Sequence, residues 1–302
     1  MNKMRSARIM LIASMAIFGT LGLFVRNISV SSGELALYRA ILASVLLAGY
    51  LLVTKQKLNL KIIRKEILLL FLSGAAMGFN WILLFQAYRY TTVSVATLSY
   101  YFAPVIVTIA CPILFKERIG KKQWICFAMS TLGIVLITGL GDLSQGSNHL
   151  IGILFGLSAA VLYATVVLLN KFIKNVEGIH RTFLQFLSAI VVLLPYVALT
   201  GGFHFASLDG LGWGCLLIVG LVHTGITYCL YFSSLKELPG QKAAILSYID
   251  PLVAVVISVT VLGERLSLLQ AIGGLMILGF TLWNEIPGKK NAKKGDIAKS
   301  VE

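Results

Sequence analysis

Long apolar runs alternate with short polar links along the whole chain. A helix that crosses a bilayer needs about 20 mostly apolar residues. Ten such runs are present, at 8–27, 34–53, 67–88, 92–114, 122–140, 151–173, 181–200, 211–235, 241–262 and 266–284. Only the polar run Arg89-Tyr90-Thr91-Thr92 separates the third from the fourth, and Leu238-Pro239-Gly240 breaks the eighth from the ninth. The first run follows Lys3, Arg5 and Arg8 as in a signal peptide. No small-x-small cleavage site closes it, so it reads as a retained span. The pattern predicts an all-α integral membrane protein with ten transmembrane helices.

The runs also repeat. The stretch 243–265, AAILSYIDPLVAVVISVTVLGER, echoes 96–118, ATLSYYFAPVIVTIACPILFKER. At an offset of 147, Tyr101 meets Tyr248, Pro104 meets Pro251 and Glu117-Arg118 meets Glu264-Arg265. Residues 7–140 and 150–285 therefore read as two five-helix repeats, followed by a basic polar tail at 286–302. Five is odd, so the second repeat lies upside down relative to the first. Inverted repeats build a site at the membrane midplane and expose it to alternate sides by rocking.

Composition agrees with this picture. Apolar residues make up 58% and charged residues 13% of the chain, against about a quarter charged in a soluble domain. The net charge of +14 lies in links between apolar runs rather than on a solvated face, which argues against a nucleic-acid partner. With the N-terminus inside, 22 Lys and Arg fall on inside segments and 3 outside, a strong positive-inside bias. This orientation puts both termini in the cytoplasm of a cell whose inner (plasma) membrane holds the protein. Cys111, Cys126, Cys215 and Cys229 lie within apolar runs without metal or disulfide spacing. No metal, cofactor or enzymatic constellation is predicted; His149, His180 and His204 lack ligand spacing.

The motifs QAYRYTTVSVATLSYYFAPV and SSLKELPGQKAAILSYIDPL, each leading to Glu-Arg and then to a Gly-containing fifth helix (Gly133; Gly273, Gly274), resemble the drug/metabolite transporter superfamily of the type with two EamA domains. Arg39 in ELALYRAILAS is similar to that family's Arg early in the second helix, and the second repeat has Phe186 at its offset. The resemblance implies secondary transport, frequently export, of amino acids or other small polar metabolites and drugs. An uncoupled facilitator, and a membrane sensor or scaffold, are the alternatives.

Within the spans the candidate cavity residues are Thr20, Asn80, Trp81, Tyr101, Tyr163, His223, Thr227, Tyr228, Tyr248 and Asp250. Polar and aromatic groups at one depth suit a small-ligand cavity, although Thr and Asn also serve as interhelical glue. Asp250, opposite Ala103 in the other repeat, is the sharpest difference between the copies. An intramembrane carboxylate is costly and marks a proton, cation or substrate-amine site, unless it mends the helix beside Pro251. His223, Thr227 and Tyr231 share one face of an α-helix, so His223 and Asp250 form a candidate proton relay; a neutral His bonded to a backbone carbonyl is the bland reading. The helices expected around the cavity are the first, third, fourth, sixth, eighth and ninth. Pro104 and Pro251 mark kinks that are static or hinge-like. Arg39 is expected to snorkel to the outer surface, the Glu-Arg pairs to fix turns, and the glycine-bearing fifth and tenth helices to act as scaffold or homodimer surface. The expected partners are a small-molecule substrate and the lipid bilayer.

Overall fold

Inside a bilayer every backbone N–H and C=O must be bonded within the protein, so an apolar run coils. The computed structural model describes residues 3–55, 60–114, 120–137, 146–176, 178–235, 237–238 and 240–286. Glu117-Arg118 and the tail from 287 lie outside these residues. Every regular element among the described residues is helical, and each predicted span coincides with a helical run. Seven of those runs are long and apolar enough to cross a membrane, and two shorter apolar helices cover 245–260 and 268–284.

In order, α1 (Lys3–Gly19) and α2 (Leu21–Val25) form the first span, α3 (Ser32–Val53) the second and α4 (Leu60–Tyr90) the third. The fourth is broken into α5 (Val93–Tyr100) and α6 (Ala103–Leu114), and α7 (Lys121–Ile137) completes the first half. The second half has α8 (Gly146–Phe172) and α9 (Gly178–Thr200). Its eighth span runs through α10 (Gly210–Leu217), a π-helical stretch (Ile218–Ile226) and α11 (Thr227–Leu235). The ninth is again broken, into α12 (Gly240–Ser247) and α13 (Ile249–Thr260), before α14 (Leu268–Glu285).

Side-chain caps set four of the helix starts. Ser31 with Glu34 and Ser267 with Gln270 form capping boxes. Thr92 accepts from the Val95 N–H, and Asp209 from the Gly212 N–H. Each satisfies backbone donors that the first turn leaves unpaired.

The packing repeats when the halves are exchanged. The third span packs on the sixth (α4 on α8), and the eighth packs on the first (α11 on α1). Likewise α4 lies on α9 as the π-helical stretch lies on α3, and α5 and α6 lie on α8 as α12 and α13 lie on α1. The pairs α3–α9 and α7–α14 map onto themselves. The protein is thus two inverted five-helix repeats wrapped around each other.

Three glycines decide how close the helices come. A Cβ on Gly133 would stand 2.7 Å from the Gly273 carbonyl oxygen, so α7 and α14 meet backbone to backbone. These glycines are therefore occupied within the chain and give no separate reason to expect a dimer there. A Cβ on Gly19 would stand 2.6 Å from the Asp250 carbonyl oxygen, which is how α1 comes to lie directly against the broken ninth span.

Candidate functional site

The two helix breaks fall at matching residues. Tyr101 caps α5 at its C-terminus, three residues before Pro104, and Tyr248 separates α12 from α13, three residues before Pro251. Proline supplies no backbone donor and crowds the preceding turn, so each span is interrupted at the same repeat position. The interruption turns Tyr101 and Tyr248 into a cavity between the halves. It also places Asp250 in the first turn of α13, where the positive end of a helix dipole favours a carboxylate.

The cavity has a volume of about 300 Å³. Trp81, Tyr101, Tyr163, Tyr228, Tyr248 and Asp250, all anticipated from the sequence, line it. Tyr101 Oη donates to Asp250 Oδ2 at 2.6 Å, a bond from the first half to the second. Around it stand Tyr100, Tyr88 and Tyr231, with Thr97 and Ser247 adding hydroxyls. The wall's rings are joined through the core: Phe18 meets Tyr228 at 5.3 Å between centroids, and Phe186, buried behind the lining, meets Tyr228 at 5.4 Å and Trp81 at 5.3 Å.

Four anticipated residues do not line this cavity. Asn80 Nδ2 donates to the Ala159 carbonyl at 2.6 Å, which holds α4 on α8. Thr227 Oγ1 donates to the Val222 carbonyl at 2.7 Å. Thr20 sits at the break between α1 and α2 and meets His223 Nε2 at 2.8 Å. His223 is 1% exposed, and its Nδ1 lies 3.3 Å from the Ile218 carbonyl. With its proton on Nδ1 a neutral ring accepts at Nε2 from the Thr20 hydroxyl, whose single proton is shared with the Ile17 carbonyl at 2.8 Å. The expected His223–Asp250 relay is not formed; each has a different partner. The reason lies in the backbone. Residues 218–226 are π-helical, bonding i to i+5, and the side chains of His223, Thr224 and Thr227 all bond a carbonyl five residues back. The α-helical face that joined His223 and Thr227 to Tyr231 is thereby rotated, and of the three only Tyr231 reaches the cavity.

Arg39 was expected at the surface and is instead 3% exposed on the cavity wall. Its Nε donates to Thr224 Oγ1 at 2.5 Å. Its guanidinium carbon lies 4.6 Å from the Trp81 ring centroid and 5.6 Å from that of Phe85. The second span therefore joins the six expected around the cavity. The sequence did carry a signal, because Arg39 faces Phe186 at the repeat offset just as Asp250 faces Ala103.

At one end of the helix bundle, Arg26 pairs with Glu264 and also donates to the Thr91 carbonyl at 3.0 Å. Glu264 in turn accepts from the Val93 N–H at 2.8 Å and from Ser258. Glu264 thus does more than fix its turn: it ties the ninth span to the links flanking the first, third and fourth. A polar vestibule of about 840 Å³ lies on this side, lined by Arg26, Glu34, Arg89 and His204 among others. Tyr88 borders both the vestibule and the central cavity. Glu34 accepts from the His204 N–H at 2.6 Å, and His149 contacts Thr91 and Gln270. At the opposite end Glu66 accepts from the Lys174 and Asn175 N–H groups, at 2.9 and 3.1 Å. Among the described residues no cluster of His, Cys, Asp and Glu is arranged to hold a metal ion.

A multi-pass helical membrane protein with a polar, aromatic cavity between two inverted halves falls in the class of membrane transporters rather than enzymes. The chain belongs to the EamA-like transporter family, which matches it twice, over residues 5–139 and 150–284. It is similar to "Uncharacterized transporter YxxF" of Bacillus subtilis (strain 168), at 32% identity over 273 residues, covering 90% of this chain and 87% of that protein. It is also similar to an "Uncharacterized transporter" of Archaeoglobus fulgidus, at 30% identity over 288 residues, covering 93% of this chain and 98% of that one. A solved crystal structure shares the fold with a TM-score of 0.63 at 18% identity, over 91% of this chain and 96% of its own.

Proposed function

We propose that this protein is a secondary transporter that carries amino acids or similarly small polar metabolites out of the cell by alternating access, coupled to protons through Asp250. The observation that carries the reading is the Tyr101–Asp250 hydrogen bond. It joins the two halves at their helix breaks, inside the cavity between them. A carboxylate that exchanges a proton there changes the bond that holds the halves together. The titratable and charged groups that line the cavity with Asp250 are Arg39, Tyr88, Tyr100, Tyr101, Tyr163, Tyr228, Tyr231 and Tyr248. The export direction rests on the family resemblance. The excess of Lys and Arg on one side supports a plasma-membrane orientation with both termini and the tail at 286–302 in the cytoplasm.

The test is flux in proteoliposomes with and without a pH gradient. A gradient should accelerate flux by the wild-type protein, and whatever flux Asp250→Asn retains should not respond to the gradient. Flux by Asp250→Asn that still follows the pH gradient would remove Asp250 from coupling. Wild-type flux that ignores the gradient would make the protein an uncoupled facilitator.

A further inference from the structure

Both charges on the cavity wall sit where the repeat symmetry is broken. Arg39 belongs to the first half, and its counterpart at the 147-residue offset is Phe186. Asp250 belongs to the second half, and its counterpart is Ala103. The partners of Arg39 follow the same relation. Arg39 lies over Trp81, while Phe186 packs edge-on against Tyr228, the counterpart of Trp81. One frame therefore carries a cation in one copy and an aromatic ring in the other.

The two charges do not neutralise each other. Among the described residues Arg26 pairs with Glu264 and His204 Nδ1 lies 3.3 Å from Glu34, and neither contact involves Arg39 or Asp250. Asp250 bonds Tyr101. Arg39 uses Nε on Thr224, and no described acceptor bonds either terminal Nη. A guanidinium presents its donors as a planar fork that matches a carboxylate. Here that fork is almost fully removed from solvent and borders an open volume. Ring faces such as Trp81 and Phe85 stabilise such a cation only in part, and a buried charge without a counter-charge is unfavourable.

We infer that Arg39 is the anion-recognising end of this cavity. The solute carries a carboxylate that binds Arg39 and a separate ammonium group that binds Asp250, with its apolar part against the tyrosine wall. This inference rests on the transport reading above and narrows it to dipolar solutes, excluding simple amines and neutral compounds as good substrates. It also fixes the orientation, with the anionic group on the first half and the cationic group on the second.

The test uses the full-length protein, purified and reconstituted, with matched sets of probes. These are L-leucine and L-phenylalanine, the amide and the decarboxylated amine of each, the acid of each lacking the amino group, and inorganic phosphate. Thermal shift reads binding and proteoliposome counterflow reads transport. The wild type should favour a free amino acid over its amine and amide by roughly a hundredfold, the scale of one buried charge pair. Arg39→Gln should abolish preference over the amine and amide but keep preference over the deaminated acid, and Asp250→Asn should do the reverse. Structural damage would lower all probes alike and cannot give this crossed pattern. Should Arg39→Gln fail to fold, Arg39→Lys should keep the acid preference with weaker binding. Amines or amides that bind the wild type as well as the acids, a variant that keeps the wrong preference, or binding of phosphate without the amino acids would overturn the inference and leave transport standing. A protein that moves no probe of any kind, alone or in exchange, would count against the transport reading itself.

Discussion

The Tyr101 hydroxyl and the Asp250 carboxylate meet at 2.6 Å across the boundary between the two halves. Each residue sits at or just past a helix break. Tyr101→Phe keeps the ring and removes the donor. A hydrogen bond to a charged group contributes about 1.5–3 kcal/mol, and neighbours in one bond couple non-additively. The double-mutant cycle of Tyr101→Phe with Asp250→Asn, read by thermal or denaturant unfolding in one detergent, should show a coupling of that size. Additive single effects would mean that the bond contributes nothing.

Arg26 and Glu264 pair at the vestibule end of the protein, where Tyr88 borders both vestibule and cavity. Glu264→Ala leaves the Val93 N–H and Ser258 without this acceptor and Arg26 with backbone carbonyls alone. Removing one partner of a buried pair costs about 3–5 kcal/mol, and this pair is half-sheltered, so a smaller loss is expected. The functional consequence is easier opening on this side. A cysteine placed at Thr97 should react faster with a membrane-impermeant thiol reagent applied on the vestibule side in Glu264→Ala than in Glu264→Gln. Equal rates would show that the pair does not restrict access from this end.

Gly133 and Gly273 allow α7 and α14 to touch through their backbones. Valine at either position forces the helices apart, and overpacking of this kind costs about 1–3 kcal/mol or more. Both variants should lower the melting temperature measured by size-exclusion after heating. Gly279, whose Cβ position is open, should accept alanine without loss.

His223 joins the first and eighth spans through Thr20 and does not reach the cavity wall. Thr20→Val and His223→Asn should therefore lower stability by about 1–3 kcal/mol, the cost of an unmade buried hydrogen bond. Neither should change how flux responds to a pH gradient. A lost response in His223→Asn with normal folding would return His223 to the proton path.

The sequence alone determined the number and order of the spans, because bilayer thickness fixes how long an apolar run must be. It also determined the pairing of the halves, because an odd number of spans at a constant 147-residue offset inverts the second copy. Six of the ten anticipated residues line the cavity, Tyr101, Tyr248 and Asp250 of them within three residues of the paired prolines. The tertiary structure decided what each polar side chain meets. Depth does not say which way a long side chain points, so Arg39, which had surface within reach, lies instead over Trp81. Helical periodicity does not reveal a change of hydrogen-bond register. The π-helical stretch therefore turned His223 toward Thr20 and left Asp250 to Tyr101. Partner choice depends on direction and close packing between helices far apart in the chain, and a linear pattern of apolar and polar residues encodes neither.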